Sequence, residues 1–215
     1  MSWDDIYTNE FWIRWSNRPP LEITLDWIKS IPKLGGHKRV FDMGCGLGRH
    51  TLILAESGFS VTASDISPHA RQITYHKIKS KNFNVAVINA DIYPIPFPDE
   101  YFDAILSIGV LEHSTRIGIE QAIDEIFRTL SPKGKILASF YPRNRWISKD
   151  KYNPDIIEDN TLKFLGPEKT IHHLVDEKEL KELFTKFTIH SIDLQKEQFE
   201  GVKSEELFIS AQKPK

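Results

Sequence analysis

The sequence predicts an α/β fold built on a doubly wound, mostly parallel sheet. From Val40 onwards, short apolar runs rich in β-branched residues alternate with longer stretches of helical periodicity, a pattern typical of βαβ units. A glycine-rich turn follows the first of these runs and opens a helix, at the place where open α/β sheets bind ligands. Two later strand-like runs predict an antiparallel pair at one edge of the sheet.

The parallel part of the sheet is predicted first along the chain. Its strands are expected near Arg39–Asp42, Ser60–Ser64, Asn84–Asn89, Phe102–Ser107 and Lys135–Phe140, and its helices near Arg49–Glu56, Pro68–Lys79 and Glu120–Leu130. The second helix has a clear start, because Ser67 can cap free backbone N–H groups and Pro68 suits the first helical position.

The sequence after the fifth strand predicts one irregular segment, one helix and two strands. Residues 142–167 are rich in proline, asparagine and charge, and are too long for a plain connection in a compact domain, so we interpret them as a lid. A helix is predicted from Asp176, and strands at Thr188–Leu194 and Glu206–Ser210, separated by a polar connection. The sheet is then expected to have about seven strands.

Residues 1–34 predict a helical, aromatic-rich cap that precedes the ligand-binding domain at 35–215. Six large rings crowd this segment: Trp3, Tyr7, Phe11, Trp12, Trp15 and Trp27. Packing of helices on the sheet explains such rings equally well.

Composition narrows the classes of function. The chain has 215 residues, 27% of them charged, and a formal net charge of -2, so no overall basic field favours nucleic acid as a partner. Its one cysteine, Cys45, argues against a disulfide or cysteine-rich metal framework. No apolar run approaches the length of a membrane span and no targeting pattern is present. We therefore expect a cytoplasmic protein with no membrane association.

The glycine turn favours an amino-acid nucleoside over a dinucleotide. The NAD fingerprint would require glycines at 44, 46 and 49, but the third glycine is Gly48. Asp42 precedes the turn, where its charge would oppose a pyrophosphate and suit an ammonium group. Asp65, about twenty residues beyond Gly44, is placed to accept hydrogen bonds from ribose hydroxyls. Asp91 follows the third strand and could reach an adenine amino group, or serve as a turn or helix cap.

Three blocks in this order resemble the class I S-adenosylmethionine-dependent methyltransferases, in their type 11-like small-molecule branch. They are Val40-Phe-Asp-Met-Gly-Cys-Gly-Leu-Gly, Val61-Thr-Ala-Ser-Asp-Ile-Ser and Asn89-Ala-Asp-Ile. A fourth block, from Phe97 to His113, resembles the region of the family's fourth strand. The resemblance covers roughly Lys38 to Phe140, and departs from the family at Lys133-Gly134, where two glycines are usual.

The resemblance implies a Rossmann-like sheet of seven strands in the order 3-2-1-4-5-7-6, with strand 7 antiparallel. It implies S-adenosyl-L-methionine as the cofactor and a small-molecule methyl acceptor as the partner. Residues expected around the methionine, ribose and adenine parts and near the fourth strand are Asp42, Gly44, Cys45, Gly46, Gly48, Asp65, Ile66, Asp91, Ile92, Ser107 and Ile108.

Methyl transfer from a sulfonium depends mainly on positioning of the acceptor, so an evident base is not required. His113 and Tyr7 are the candidates for taking a proton from the acceptor or orienting it. His113 can instead be a hydrogen-bonded structural residue. His172 and His173 are adjacent and would face opposite sides of a strand, which argues against a shared metal.

The charge of the predicted lid and the class of protein can each be interpreted in more than one way. Arg143, Arg145, Lys149 and Lys151 make the predicted lid basic, which would attract an anionic acceptor or simply reflect a solvated loop. The whole protein can also be interpreted as a noncatalytic S-adenosylmethionine-binding sensor or subunit. A nicotinamide oxidoreductase is disfavoured by the glycine spacing, and cysteine-dependent methylation by the position of Cys45.

Overall fold

The computed structural model describes residues 3–32, 38–144, 154–163 and 170–215. Three helices come first: α1 (Trp3–Thr8), α2 (Glu10–Ser16) and α3 (Glu22–Ser30). Asn9 separates α1 from α2 and caps the latter, since its side-chain oxygen accepts from the N–H of Phe11 at 3.0 Å. No helix in these ranges is long and apolar enough to cross a membrane.

Five parallel strands form the centre of the sheet, as predicted. They are β1 (Arg39–Met43), β2 (Ser60–Ser64), β3 (Val85–Ile88), β4 (Phe102–Ser107) and β5 (Leu130–Pro142), connected in part by α4 (Arg49–Glu56), α5 (Pro68–Ser80) and α6 (Arg116–Thr129). Their spatial order is β3-β2-β1-β4-β5. The predicted cap of α5 is confirmed, because Ser67 Oγ accepts from Ala70 N at 3.0 Å. Helix α6 starts four residues earlier than predicted, where Thr115 caps it.

The antiparallel edge is also present. Strands β9 (Thr188–Phe199) and β10 (Val202–Gln212) pair with each other, and β10 pairs antiparallel with β5. The predicted order 3-2-1-4-5-7-6 is therefore confirmed for the seven core strands. The polar connection predicted between the last two strands is wrong, because both strands continue to a tight turn at Glu200 and Gly201, whose φ angles of 47° and 81° suit a two-residue hairpin.

The sheet has three strands beyond the predicted seven. Strands β6 (Asp155–Glu158), β7 (Thr161–Lys163) and β8 (Ile171–Val175) form an antiparallel set, and β8 pairs in parallel with the end of β5. Part of the predicted irregular segment is thus extended structure. Residues 145–153 and 164–169 lie outside the described ranges, so the lid interpretation of 142–167 stays a prediction. After β8 comes α7 (Glu177–Leu183), capped by Asp176.

Apolar side chains on both faces of the sheet form the core. Adjacent residues of β1 point to opposite faces: Phe41 packs with Phe102 under α6, whereas Val40 packs with Leu54 of α4 and Trp27 of α3. This doubly covered sheet fixes the ends of β1, β2 and β4 relative to one another.

The N-terminal helices rest on the carboxyl edge of this sheet. Arg18 forms an ion pair with Glu197 in which both side chains are largely buried, and Arg14 lies 2.8 Å from Glu200. Trp15 packs edge-on against Phe199 with ring centroids 5.9 Å apart. The extended β9–β10 hairpin thus holds α2 above the glycine turn.

Candidate active site

The turn after β1 adopts the backbone that its glycines permit. Gly44, Gly46 and Gly48 have φ angles of +66°, +51° and +78°, a region that residues with a Cβ avoid. The turn is held against the end of β2, since Cys45 N donates to Ser64 O at 2.7 Å. It also closely approaches the segment that follows β4, because a Cβ on Gly44 would lie 2.4 Å from Val110 Cγ2.

Asp65 connects the glycine turn to the next helix. Its two carboxylate oxygens accept separate backbone hydrogen bonds, one from Gly46 N and one from Ser67 N, each of 2.9 Å. The side chain is 6% exposed, and burial raises the pKa of its carboxyl against the lowering effect of these two N–H donors. A buried acid held this way presents its remaining lone pairs to a ligand in a fixed direction.

Asp65 belongs to the wall of a cavity of about 270 Å³ that we call the glycine-loop cavity. It is lined by residues that follow four successive strands, including Gly44, Asp65, Ile66, Asp91, Ile92 and Val110. Ser64 Oγ also lies here, buried and with no hydrogen-bond partner among the described residues. Ile66 is 43% exposed, which leaves an apolar surface for a flat ring. The sequence predictions for the ribose and adenine residues therefore converge on one cavity, and their binding roles remain predictions.

Asp42 lies beneath the turn and does not line the cavity. It is 2% exposed, and Thr51 Oγ1 donates to its Oδ2 at 2.5 Å. Burial raises the pKa of its carboxyl to about 7, opposed by the Thr51 hydrogen bond. Asp42 is thus separated from the cavity by the turn, and its expected contact with the methionine part of the cofactor stays a prediction.

Asp42→Asn is expected to flatten part of the pH dependence of stability. Because the folded pKa lies about three units above that of an unfolded aspartate, the stabilising contribution is present below about pH 4 and is lost as the pH rises through 7. The loss should be about 4 kcal/mol in the free energy of unfolding. Urea titrations between pH 4 and 8 would measure it, with the exposed Asp26→Asn as control. Parallel curves for wild type and Asp42→Asn would contradict this assignment.

The other predicted cofactor residues are divided between the cavity walls and the core. Cys45, Gly46 and Ile108 line a second cavity described below, whereas Ser107 is fully buried. Gly48 ends the turn at the start of α4. Burial, followed by the charges of Asp42 and Asp65, raises the pKa of the Cys45 thiol well above its usual range, so this side chain is a neutral thiol.

A second cavity of about 140 Å³ adjoins the first, and we call it the aromatic chamber. Its walls include rings from three elements: Trp12 and Trp15 of α2, Tyr141 of β5 and His172 of β8. Trp3, Tyr7 and His113 line both cavities. Both candidate catalytic residues are therefore at the boundary between the two spaces.

His113 is oriented by a backbone group. It ends a 3₁₀ turn at Leu111–His113, and its Nδ1 is 3.2 Å from the carbonyl oxygen of Ile171. A carbonyl only accepts, so Nδ1 carries a hydrogen, and in the neutral form of the ring the lone pair is then on Nε2. Trp3 packs edge-on against the ring at 4.8 Å.

Tyr7 is suited to donating a hydrogen bond and not to taking a proton. Burial, then the charge of Asp65, raises the pKa of its phenol well above the usual value. The hydroxyl lies over the glycine turn, 2.9 Å from where a Cβ on Gly46 would be. Of the two candidates, His113 is the one whose chemistry suits a base.

Sequence reasoning missed the contribution of β8 to the site. From the sequence, His172 is considered only as a possible metal ligand. The prediction that the adjacent His172 and His173 face opposite sides of a strand is confirmed. The predicted basic lid is mostly outside the described residues: Arg145, Lys149 and Lys151 are not described. Arg143 is described, and its Nη1 lies 2.7 Å from Asp176 Oδ2. It lines a separate cavity of about 370 Å³ of mixed charge.

These features describe an α/β domain with a cavity at its glycine turn and an adjoining chamber, and comparisons with known proteins indicate the class of protein. Residues 40–134 match the family described as a methyltransferase domain. The chain is 31% identical over 108 residues to the demethylmenaquinone methyltransferase of Thermus thermophilus, covering 49% of this chain and 48% of that protein.

Solved structures share the fold over most of the chain. A crystal structure of an S-adenosylmethionine-dependent methyltransferase from Methanosarcina mazei has 24% identity and a TM-score of 0.76, covering 92% of this chain and 99% of that one. The 1,6-didemethyltoxoflavin-N1-methyltransferase of Burkholderia thailandensis, solved with its substrate and S-adenosylhomocysteine, has 20% identity and a TM-score of 0.69, with coverages of 94% and 81%.

Residues 40–134 are thus similar to a methyltransferase domain, and the chain shares the fold of S-adenosylmethionine-dependent methyltransferases. The cofactor of this family is S-adenosylmethionine. The chain spans about half the length of the curated relatives it matches.

Proposed function

We propose that this protein transfers a methyl group from S-adenosylmethionine to a small-molecule acceptor. The observation that carries the proposal is the glycine-loop cavity at one edge of the sheet. There a buried acid and a turn of left-handed glycines meet a serine hydroxyl that has no hydrogen-bond partner among the described residues. Relatives named for demethylmenaquinone and sterols, and the toxoflavin enzyme, support a small organic acceptor.

The residues present fit the cofactor. Asp65 and Ser64 can bind ribose hydroxyls, Ile66 and Ile92 can flank a flat base, and Asp91 can accept from an exocyclic amine. Gly44 and Gly46 leave room beside Val110 and Tyr7 that a Cβ would fill. When bound, the cofactor supplies an electrophilic methyl: the acceptor's lone pair forms the new bond to carbon as the carbon–sulfur electron pair returns to sulfur.

The protein's own part is to position the acceptor, exclude water and accept its proton. His113 lines both cavities, and in the neutral ring its Nε2 can take a proton from a hydroxyl or N–H group. Tyr7 and Trp3 cover the same boundary from α1. Holding the reactants in line is worth about 7–11 kcal/mol of the barrier, more than a base contributes.

The direct test is calorimetric titration with S-adenosylmethionine and S-adenosylhomocysteine, followed by mass-spectrometric detection of S-adenosylhomocysteine formed with planar phenols, N–H heterocycles and sterols. Binding of both nucleosides and turnover with an acceptor are expected. Absence of binding would overturn the proposal. Binding without product from any acceptor would favour the noncatalytic sensor.

His113→Gln is expected to lower kcat for a proton-bearing acceptor by about 10²- to 10⁴-fold, the usual contribution of a general base. Affinity for S-adenosylhomocysteine should stay within about two-fold, because other residues hold the cofactor. The matched control is His190→Gln, an exposed histidine of β9. Equal rates for wild type and His113→Gln would remove His113 from the chemistry.

A further inference from the structure

The aromatic chamber has a continuous wall of three rings. His172 stacks on Tyr141 with ring centroids 5.1 Å apart and an interplanar angle of 10°. It also meets His113 edge-on at 4.7 Å and 79°. The three rings therefore form one wall of the chamber, which begins at the ring of His113 and continues through His172 to Tyr141.

The strand that carries His172 is anchored from its other side. His173 is 1% exposed, with Nδ1 at 2.6 Å from Thr161 Oγ1 and Nε2 at 2.9 Å from Glu179 Oε1. Glu179 also accepts from Arg116 and Arg143, each at 2.5 Å. Because side chains alternate along a strand, fixing His173 in this cluster fixes His172 toward the chamber.

Two further observations define what the chamber can hold. His172 Nε2 lies 2.7 Å from Thr170 Oγ1, so a hydroxyl and an imidazole are adjacent on one wall. Two arginines and one glutamate line the chamber, and a second glutamate outside the lining pairs with one of the arginines. Arg18 and Arg49 are accompanied by Glu206, and Arg18 is itself paired with Glu197. Such a space disfavours a charged acceptor and favours a neutral ring, since flat rings gain affinity from aromatic partners beyond the area they bury.

We infer that the aromatic chamber binds a neutral, planar aromatic acceptor bearing a hydroxyl or N–H group, and that His172 is the residue that contacts its ring. The inference rests on the proposed function, because it places the acceptor beside the cofactor cavity. The face of the acceptor stacks on the ring wall, and its polar hydrogen is directed to His113 Nε2. Methylation then joins the new methyl to that oxygen or nitrogen, and the released proton resides on His113.

The test uses 2-naphthol and decahydro-2-naphthol, which share a carbon skeleton and a hydroxyl but differ in planarity. Each is titrated by calorimetry into protein saturated with S-adenosylhomocysteine. We expect 2-naphthol to bind at least about ten-fold more tightly than its saturated analogue, and His172→Ala to abolish that preference. His172→Phe, which keeps a ring on Tyr141, should retain most of it, and the exposed His190→Ala should retain all of it.

The outcomes separate this inference from the proposed function. If S-adenosylhomocysteine binds but both alcohols bind equally, or neither binds, the planar-acceptor inference is overturned and the methyltransferase proposal stands. The same preference in His172→Ala as in wild type would remove His172 from the acceptor site. Failure of S-adenosylhomocysteine itself to bind would overturn both. Unchanged affinity of His172→Ala for S-adenosylhomocysteine shows that the variant is folded around an intact cofactor cavity.

Discussion

Asp65→Ala is expected to weaken the binding of S-adenosylhomocysteine by about 100-fold or more. The carboxylate accepts from Gly46 N and Ser67 N, and each hydrogen bond to a charged group is worth about 1.5–3 kcal/mol. Alanine removes both acceptors, together with the acid expected to bind the ribose hydroxyls. Since about 2.7 kcal/mol corresponds to 100-fold in affinity, loss of the ribose contacts alone is sufficient for this effect.

Two further variants separate the causes of that loss. Asp65→Asn keeps one oxygen acceptor and removes the charge, so its affinity should fall between those of wild type and Asp65→Ala. Asp26→Ala is the control, because that aspartate is on the surface of α3 and pairs only with Lys29 among the described contacts. Calorimetry gives the affinity, and the shift in Tm with saturating ligand shows whether each variant is folded. Wild-type affinity in Asp65→Ala would exclude this acid from the cofactor site.

The parallel core could be predicted because each of its signals is local. Ser60–Ser64 and Phe102–Ser107 have the observed bounds, since short β-branched runs flanked by polar turns leave little choice of element. The residues that line the glycine-loop cavity could be predicted for a related reason. In a parallel sheet the carboxyl ends of successive strands meet at one edge, so Asp65 and Asp91 are brought together by topology.

The long β9–β10 hairpin could not be predicted in full. Its distal half, around Lys196 and Glu205, is polar on both faces, so the sequence shows no apolar alternation there. Tertiary contacts stabilise it: Arg14 of α2 pairs with Glu200, and Arg18, two residues after α2, pairs with Glu197. The same limitation applies to β8, whose His173 is stabilised by Thr161 and Glu179. The aromatic chamber was missed because its wall depends on that strand.

Gly44→Ala is expected to be the most damaging single methyl addition in the glycine turn. Its φ of +66° strains any residue with a Cβ, and the added atom would lie 2.4 Å from Val110 Cγ2 and 2.8 Å from Cγ1. Backbone strain of about 1–2 kcal/mol and overpacking of about 1–3 kcal/mol then add. Because Gly44 and Val110 both line the glycine-loop cavity, affinity for S-adenosylhomocysteine should fall by about 100-fold or more.

Gly58→Ala is the matched control, since Gly58 has a φ of +85° and no atom of the described part of the chain lies within 4 Å of the position of an added Cβ. It should lose only the strain component, about 1–2 kcal/mol of stability, and keep its affinity. The double variant Gly44→Ala with Val110→Ala removes the colliding methyls while retaining the strain. Recovery of stability there would attribute the excess damage to the collision. Equal destabilisation by Gly44→Ala and Gly58→Ala would instead mean that position 44 requires glycine only for its left-handed backbone. The close approach to Val110 would then contribute nothing to the damage.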